Sequence, residues 1–239
     1  MLKIEHYSKI YGNGKRAVDD LSLEVAPGEI FGFIGHNGAG KTTTLRAVAG
    51  VLAFEGGDIF IDGHSVKTEA VAAKRITAFI PDNPDLYEFL SGIAYLNFIA
   101  DIYGISKDDR QTRIGTYADA FELTSALGSP ISSYSHGMKQ KLALISAFIR
   151  RPRLLILDEP FVGLDPVASH TLKELLAQLC AEGGSVFFST HVLEVAEKLC
   201  DHIAIIKGGK LIASGKTADV IGNSSLEEVF LELVEEPEA

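Results

Sequence analysis

The sequence predicts an α/β fold built on a mainly parallel sheet, and three stretches predict it. Phe31 to Thr44, FGFIGHNGAGKTTT, reads as a short apolar strand, a glycine loop and the opening of a helix. RLLILDEP, ending at Pro160, is a nearly pure apolar run, the mark of a strand buried on both faces. Beyond it strand and helix patterns alternate, as they do where crossover helices join parallel strands.

Taken in order, residues 2 to 34 read as β structure. LKIEHYSKIY and AVDDLSLEVA alternate apolar with polar, and Pro27-Gly28 marks a tight turn before EIFGFIG. Tyr11 falls in a polar turn after the first strand, where an aromatic can stack on a purine ring or cover a sheet edge. The helix opening at Lys41 ends at Gly50, a natural C-terminal stop. GGDIFIDG follows as a hairpin strand, with a short helix over 68 to 75 and a β-branched run, ITAFI, that Pro81 halts. PDNPDLYEF is loop.

From Ser91 to Leu127 apolar residues recur at three- and four-residue steps, which predicts a helical subdomain inserted into the α/β core. A further helix over 137 to 149 stops before Pro152. After RLLILDEP come a helix near 167–181, the strand SVFFS, a helix starting at His191, and a hairpin-like pair in DHIAIIKGGKLIASG. Ser225 with Glu228 forms a capping box, and Leu226, Val229, Phe230 and Leu233 share one apolar face, so a short docked helix is expected. The closing EEPEA is expected to fray.

Bulk properties narrow the function. The chain has 239 residues, 46% hydrophobic and 23% charged, ordinary for a globular core. Lys and Arg total 22 against 32 Asp and Glu, a net charge of −10, which argues against a nucleic-acid partner bound through a broad basic footprint. Cys180 and Cys200 fit no metal spacing and read as reduced thiols of a cytosolic protein. The start, MLKIEHYSKIYG, lacks the apolar run of a signal peptide, and no apolar stretch reaches the roughly eighteen residues of a membrane span. Any membrane role is expected to come through a partner.

The chemistry is concentrated in the glycine loop. Gly35, Gly40, Lys41 and Thr42 satisfy the spacing G-x-x-x-x-G-K-[ST], with Gly38 as an added glycine. Glycines let successive N–H groups point into one anion-binding concavity, and the helix that follows adds its own unpaired N–H groups. Lys41 can reach the outer phosphates of a nucleotide, and the Thr42 hydroxyl suits a phosphate-bound Mg²⁺. Asp158 and Glu159 emerge where the buried strand ends, the end at which α/β sheets bind ligands. Asp158 can hold Mg²⁺ through water; Glu159, one residue on, points elsewhere and can deprotonate an attacking water. His191, after the strand SVFFST, can hydrogen-bond a γ-phosphate or act as a cap or packing residue.

GHNGAGKTT, YSHGMKQK, LLILDEP, GLDP and the STH before a helix occur in the order and spacing of the ATPase subunits of ABC transporters, which the chain resembles from Leu2 to about Gly222. DHIAIIKGGKLIASG and SSLEEVFLEL resemble the end of an exporter-like branch whose permease is a separate chain. The resemblance implies a P-loop NTPase core with an antiparallel β subdomain and an inserted α-helical subdomain. The ATPase domain would span 1–222, with the helical insert at about 83–150, and a short helix and acidic tail would occupy 223–239. It implies that Tyr11 stacks on adenine and that Gly35, Asn37, Gly38, Ala39, Gly40, Lys41, Thr42 and Thr43 cradle the phosphates of ATP. Asp158 would hold Mg²⁺, Glu159 would be the catalytic base, and His191 would report the γ-phosphate. Ser135, His136 and Gly137 would bind the ATP held by an opposite subunit, and Asp165 would cross that interface. A head-to-tail dimer, homodimeric or with a related chain, would sit on the inner face of the cell membrane against an integral-membrane permease touched by the helical subdomain and the loop near 81–95.

Two positions depart from the pattern. Asp82 stands where a glutamine is usual; it can still meet Mg²⁺ or a water but cannot donate a hydrogen bond. His136 stands where the signature usually carries glycine, adding bulk beside the γ-phosphate of the partner's ATP. An ABC-type ATPase without a permease, acting on ribosomes or DNA, is the alternative, and a small-molecule kinase is a third class. The single ATPase unit and the acidic balance disfavour the former, and the signature ahead of LLILDEP disfavours the latter.

Overall fold

The computed structural model describes residues 1–12 and 14–235. The first two strands, β1 (Leu2–Ile10) and β2 (Arg16–Val25), pair antiparallel. Then β4 (Gly56–Ile61) and β5 (His64–Ser65) complete a four-stranded antiparallel sheet of order β2-β1-β4-β5. Inward positions along β1 and β2, such as Leu2, Ile4, Leu21 and Leu23, are buried and their neighbours are not, as the alternation requires.

The second sheet has six strands. β3 (Ile30–Ile34) lies between β8 (Ser185–Thr190) and β9 (His202–Lys207), and β7 (Leu154–Asp158) separates β8 from β6 (Thr77–Ile80). These pairings are all parallel, and β10 (Lys210–Lys216) adds one antiparallel edge to β9. Every residue of β3, β7 and β8 is buried, and successive residues feed opposite faces. Phe31, Phe33, Ile156 and Phe187 enter a core shared with the antiparallel sheet and α1 (Lys41–Val48). Leu155, Leu157, Val186 and Phe188 enter the opposite core, under the remaining long helices. This explains why RLLILDEP shows no alternation.

Between the neighbouring strands β6 and β7 the chain runs through α3 (Gly92–Ile102), α4 (Lys107–Ala120) and α5 (His136–Phe148). Ser91, Ser106 and Ser135 each cap one of these helices by accepting a backbone N–H from three residues on. Then α6 (Pro166–Ala181) and α7 (Leu193–Leu199) alternate with the strands, and α8 (Thr217–Ile221) and α9 (Leu226–Glu235) close the described chain. The Ser225–Glu228 capping box forms in both directions, Glu228 N–H to Ser225 Oγ at 3.2 Å and Ser225 N–H to Glu228 Oε2 at 2.9 Å. Residues 236–239, most of the stretch expected to fray, lie outside the described residues.

Three helix starts differ from the sequence expectation. α2 (Ala70–Arg75) begins two residues after Thr68, because Ser65 Oγ accepts the N–H groups of Lys67 and Thr68 and holds them in a turn. α5 begins at His136 rather than Gly137, since Ser135 is its cap. α7 begins at Leu193 rather than His191, because the His191 and Val192 N–H groups bond to Glu159 Oε2 and Thr190 Oγ1 instead of entering a helix.

Candidate functional site

Parallel pairing brings the C-terminal ends of β3, β7 and β8 side by side; β7 ends in Asp158, and β3 and β8 run directly into Gly35 and His191. The loop after β3 is shaped by its glycines in two ways. Gly38 and Gly40 have φ of +83° and +111°, a region where side chains are strained. Gly35 and Gly40 also press against backbone: a Cβ would come within 2.5 Å of Ile206 O at the first and 2.6 Å of Ala17 O at the second. Gly40 therefore caps α1 without a side-chain bond, and Lys41, Thr42 and Thr43 of the first turn line the cavity.

Lys41 is only 5% exposed, and its Nζ donates to Gly35 O at 2.5 Å and His36 O at 3.3 Å. It also lies 3.7 Å from Glu159 Oε1. Burial pushes its ammonium below the usual lysine range, while Glu159 and Asp158 pull it back up. Asp158, opposite Ser189 in the β7–β8 register, is 1% exposed. Its Oδ1 accepts Ser189 Oγ at 2.5 Å, whereas its buried Oδ2 has no partner among the described residues. An orphaned carboxylate oxygen of this kind suits a cation or its water.

Glu159 does not point away from Asp158, as simple strand alternation implied. At φ +49° it leaves strand geometry, its N–H bonding to Ser189 at the carbonyl and hydroxyl, both at 3.2 Å. Its carboxylate turns into the same cavity as Asp158, with Oε1 3.0 Å from His191 Nδ1. The cavity, about 330 Å³, is bounded by Tyr11, the loop through Thr43, and the acids Asp82, Asp158 and Glu159. Tyr11 is partly exposed at its rim, with its hydroxyl 3.2 Å from Thr43 Oγ1. A larger groove of about 720 Å³, around Met1, Pro27 and His202, lies at the opposite ends of the strands and holds none of the predicted residues.

Ser135, His136, Gly137 and Asp165 do not line the cavity. They form a separate cluster in which Ser135 and His136 are exposed. The His136 ring lies on Gly163, where a Cβ would meet its Cδ2 at 2.7 Å. Asp165 caps α6 through Ala168 N at 2.8 Å and pairs with Lys141 Nζ at 2.8 Å. The Lys141 hydrogen bond, then the Ala168 N–H, holds the Asp165 carboxyl below its ordinary range. Sequence reasoning missed Ser189, which fixes both Asp158 and Glu159, and Tyr134, whose buried ring packs over Gly92 while its hydroxyl donates to Ala126 O at 2.7 Å. A serine in an apolar strand carries no signal of that role.

Comparison with known proteins places this geometry. A family model described as ABC transporter matches residues 18–162. An uncharacterized ABC transporter ATP-binding protein of Synechocystis is 36% identical over 96% of the chain, which spans 66% of that relative, just under two thirds of its length. A Nod factor export ATP-binding protein of Cupriavidus metallidurans is 35% identical over 92% of the chain and 73% of its own length. A solved structure described as the ATP binding subunit of an ABC transporter superposes with a TM-score of 0.93 at 35% identity, covering 98% of this chain and 99% of that one.

Proposed function

The chain belongs to the ABC transporter family, among its ATP-binding ATPase subunits, and from that premise we propose that it powers export through an integral-membrane permease carried on a separate chain. The decisive observation is the convergence of the phosphate loop, Asp158, Glu159 and His191 at the ends of three parallel strands.

ATP lies with its phosphates over residues 35–43, against the loop N–H groups and the first turn of α1. The orphaned Asp158 Oδ2, the Thr42 hydroxyl and Asp82 are the groups that would hold Mg²⁺, which when bound would neutralise phosphate charge. The approach of the phosphates draws Lys41 Nζ from the Gly35 carbonyl and from Glu159, the contacts it makes here. Released from Lys41, Glu159 accepts a proton from the attacking water while His191 holds its other flank. Tyr11 meets the base at the rim.

Ser135 and His136, exposed and outside the cavity, are the surface that a second ATPase subunit's nucleotide would meet. The α5 N-terminus adds its N–H groups there. Such a subunit works as a head-to-tail dimer, ATP joining the halves and hydrolysis releasing them. The permease would dock on the exposed aromatic surface before and within α3, where Phe89 is 82% exposed and Tyr87 packs against both Phe89 and Phe98. Among the described residues no helix is long and apolar enough to cross a membrane, so the cytoplasmic, inner-face location proposed here depends on that partner.

Affinity capture of the chain from detergent-solubilised membranes tests this. An integral-membrane permease is expected to come with it, and Phe89→Asp should lose that partner while leaving ATP binding intact. Recovery with ribosomes instead would overturn the transporter assignment.

A further inference from the structure

We propose that Phe230 of α9 and His36 of the phosphate loop are a positioning pair that holds the loop in its nucleotide-binding shape; the role rests on residues 35–43 being the ATP site. Their rings meet edge to face, with centroids 4.9 Å apart and planes at 67°. His36 is the loop residue on which the local turn hangs. Its carbonyl accepts Ala39 N–H at 3.1 Å and Lys41 Nζ at 3.3 Å. A shift of His36 therefore moves the cation that meets the phosphates.

Other parts of the loop are held by backbone. Gly209 N–H, from the β9–β10 turn, donates to Ala39 O at 3.0 Å, and Gly35 is pressed against Ile206 O. His36 is exposed, and its ring links the loop to α9.

The other half of the pair is well anchored. α9 begins with a two-way capping box, and its first N–H, from Leu226, donates to Glu197 Oε2 of α7 at 2.8 Å. Leu226 is fully buried and Phe230 nearly so, in the core that also takes Ile34 of β3, Ala196 of α7 and Ile205 of β9. Phe230 is thus a fixed ring set beside a loop that must keep its curvature. α9 joins that loop to α7, the helix that follows His191. An edge-on aromatic contact of this kind corresponds to about a three- to tenfold change in affinity if it is felt fully on binding.

Equilibrium titration of the full chain with methylanthraniloyl-ADP and Mg²⁺ tests the pair. Phe230→Leu and His36→Ala should each weaken binding about three- to tenfold. The double variant should bind no more weakly than the poorer single, because both remove one contact. Phe230→Tyr should bind as the parent does, and so should Leu231→Ala on the exposed side of α9. Coupling is reciprocal, so ADP should slow amide exchange in residues 226–233 of the parent chain, a readout that needs no variant to fold. Parent-like affinity in Phe230→Leu, additive losses in the double variant, or exchange in 226–233 indifferent to ADP would each overturn the pair. Lys41→Ala separates the two levels. Unchanged binding there brings down the ATP-site assignment itself. Lost binding there, with parent-like binding in Phe230→Leu, brings down the positioning pair alone.

Discussion

Glu159 occupies a left-handed backbone geometry, φ +49°, which costs a non-glycine residue on the order of 1–2 kcal/mol. Strand β7 tolerates it because two Ser189 atoms accept the Glu159 N–H, and the outcome is a second carboxylate in the cavity of Asp158. Strain of this kind concentrates where it serves chemistry. Gly40 meets a harder limit, with φ +111° and no room for a Cβ against Ala17 O. Gly40→Ala should therefore distort the loop and weaken ATP binding at least tenfold, measured by titration, with the melting temperature showing whether the rest of the fold survives. Much of this residue-level picture was legible beforehand, since a phosphate nest admits few residue types at few spacings. The direction of Glu159 was not, because strand alternation places neighbouring side chains on opposite faces and only the bend at the strand end overrides it.

At the scale of elements, the cluster around α5 depends on close packing of small residues. Gly92, at the start of α3, leaves no space: an added Cβ would lie 2.3 Å from Tyr134 Oη. Gly92→Ala should cost about 1–3 kcal/mol by overpacking and lower the melting temperature by several degrees, read by thermal unfolding. Its effect on nucleotide affinity should be small, because Tyr134 lies outside the phosphate cavity. Strands and long helices were readable from periodicity, and the stops at Gly50 and Pro152 from local backbone rules. The start of α7 was not readable. His191 looks like a helix opener in sequence, yet its N–H is taken by a carboxylate from another strand, a contact that only the folded sheet creates. The role of Tyr134 was equally hidden, because a signature tyrosine and a packing tyrosine have the same pattern until Gly92 is brought beneath it.

For the whole molecule, both cysteines belong to the packing. Burial pushes the Cys180 thiol up to about 12 and raises that of Cys200 as well, with Asp201 adding to both. Neither is a thiolate at neutral pH, so iodoacetamide should label the native chain slowly and the unfolded chain fast, as followed by intact mass. Gly32 packs against Cys200 Sγ, which places that thiol inside the sheet rather than at a site. The proposed catalytic assembly is likewise a property of the whole sheet, since loop, acid and histidine come from strands far apart in sequence and adjacent in space. We propose that the loop at Lys41 holds ATP while Glu159 activates the water. The most direct measurement compares ATP affinity with single-turnover hydrolysis in Glu159→Gln. Affinity should match the parent chain while hydrolysis slows by about 10²- to 10⁴-fold; hydrolysis at the parent rate would contradict that role for Glu159.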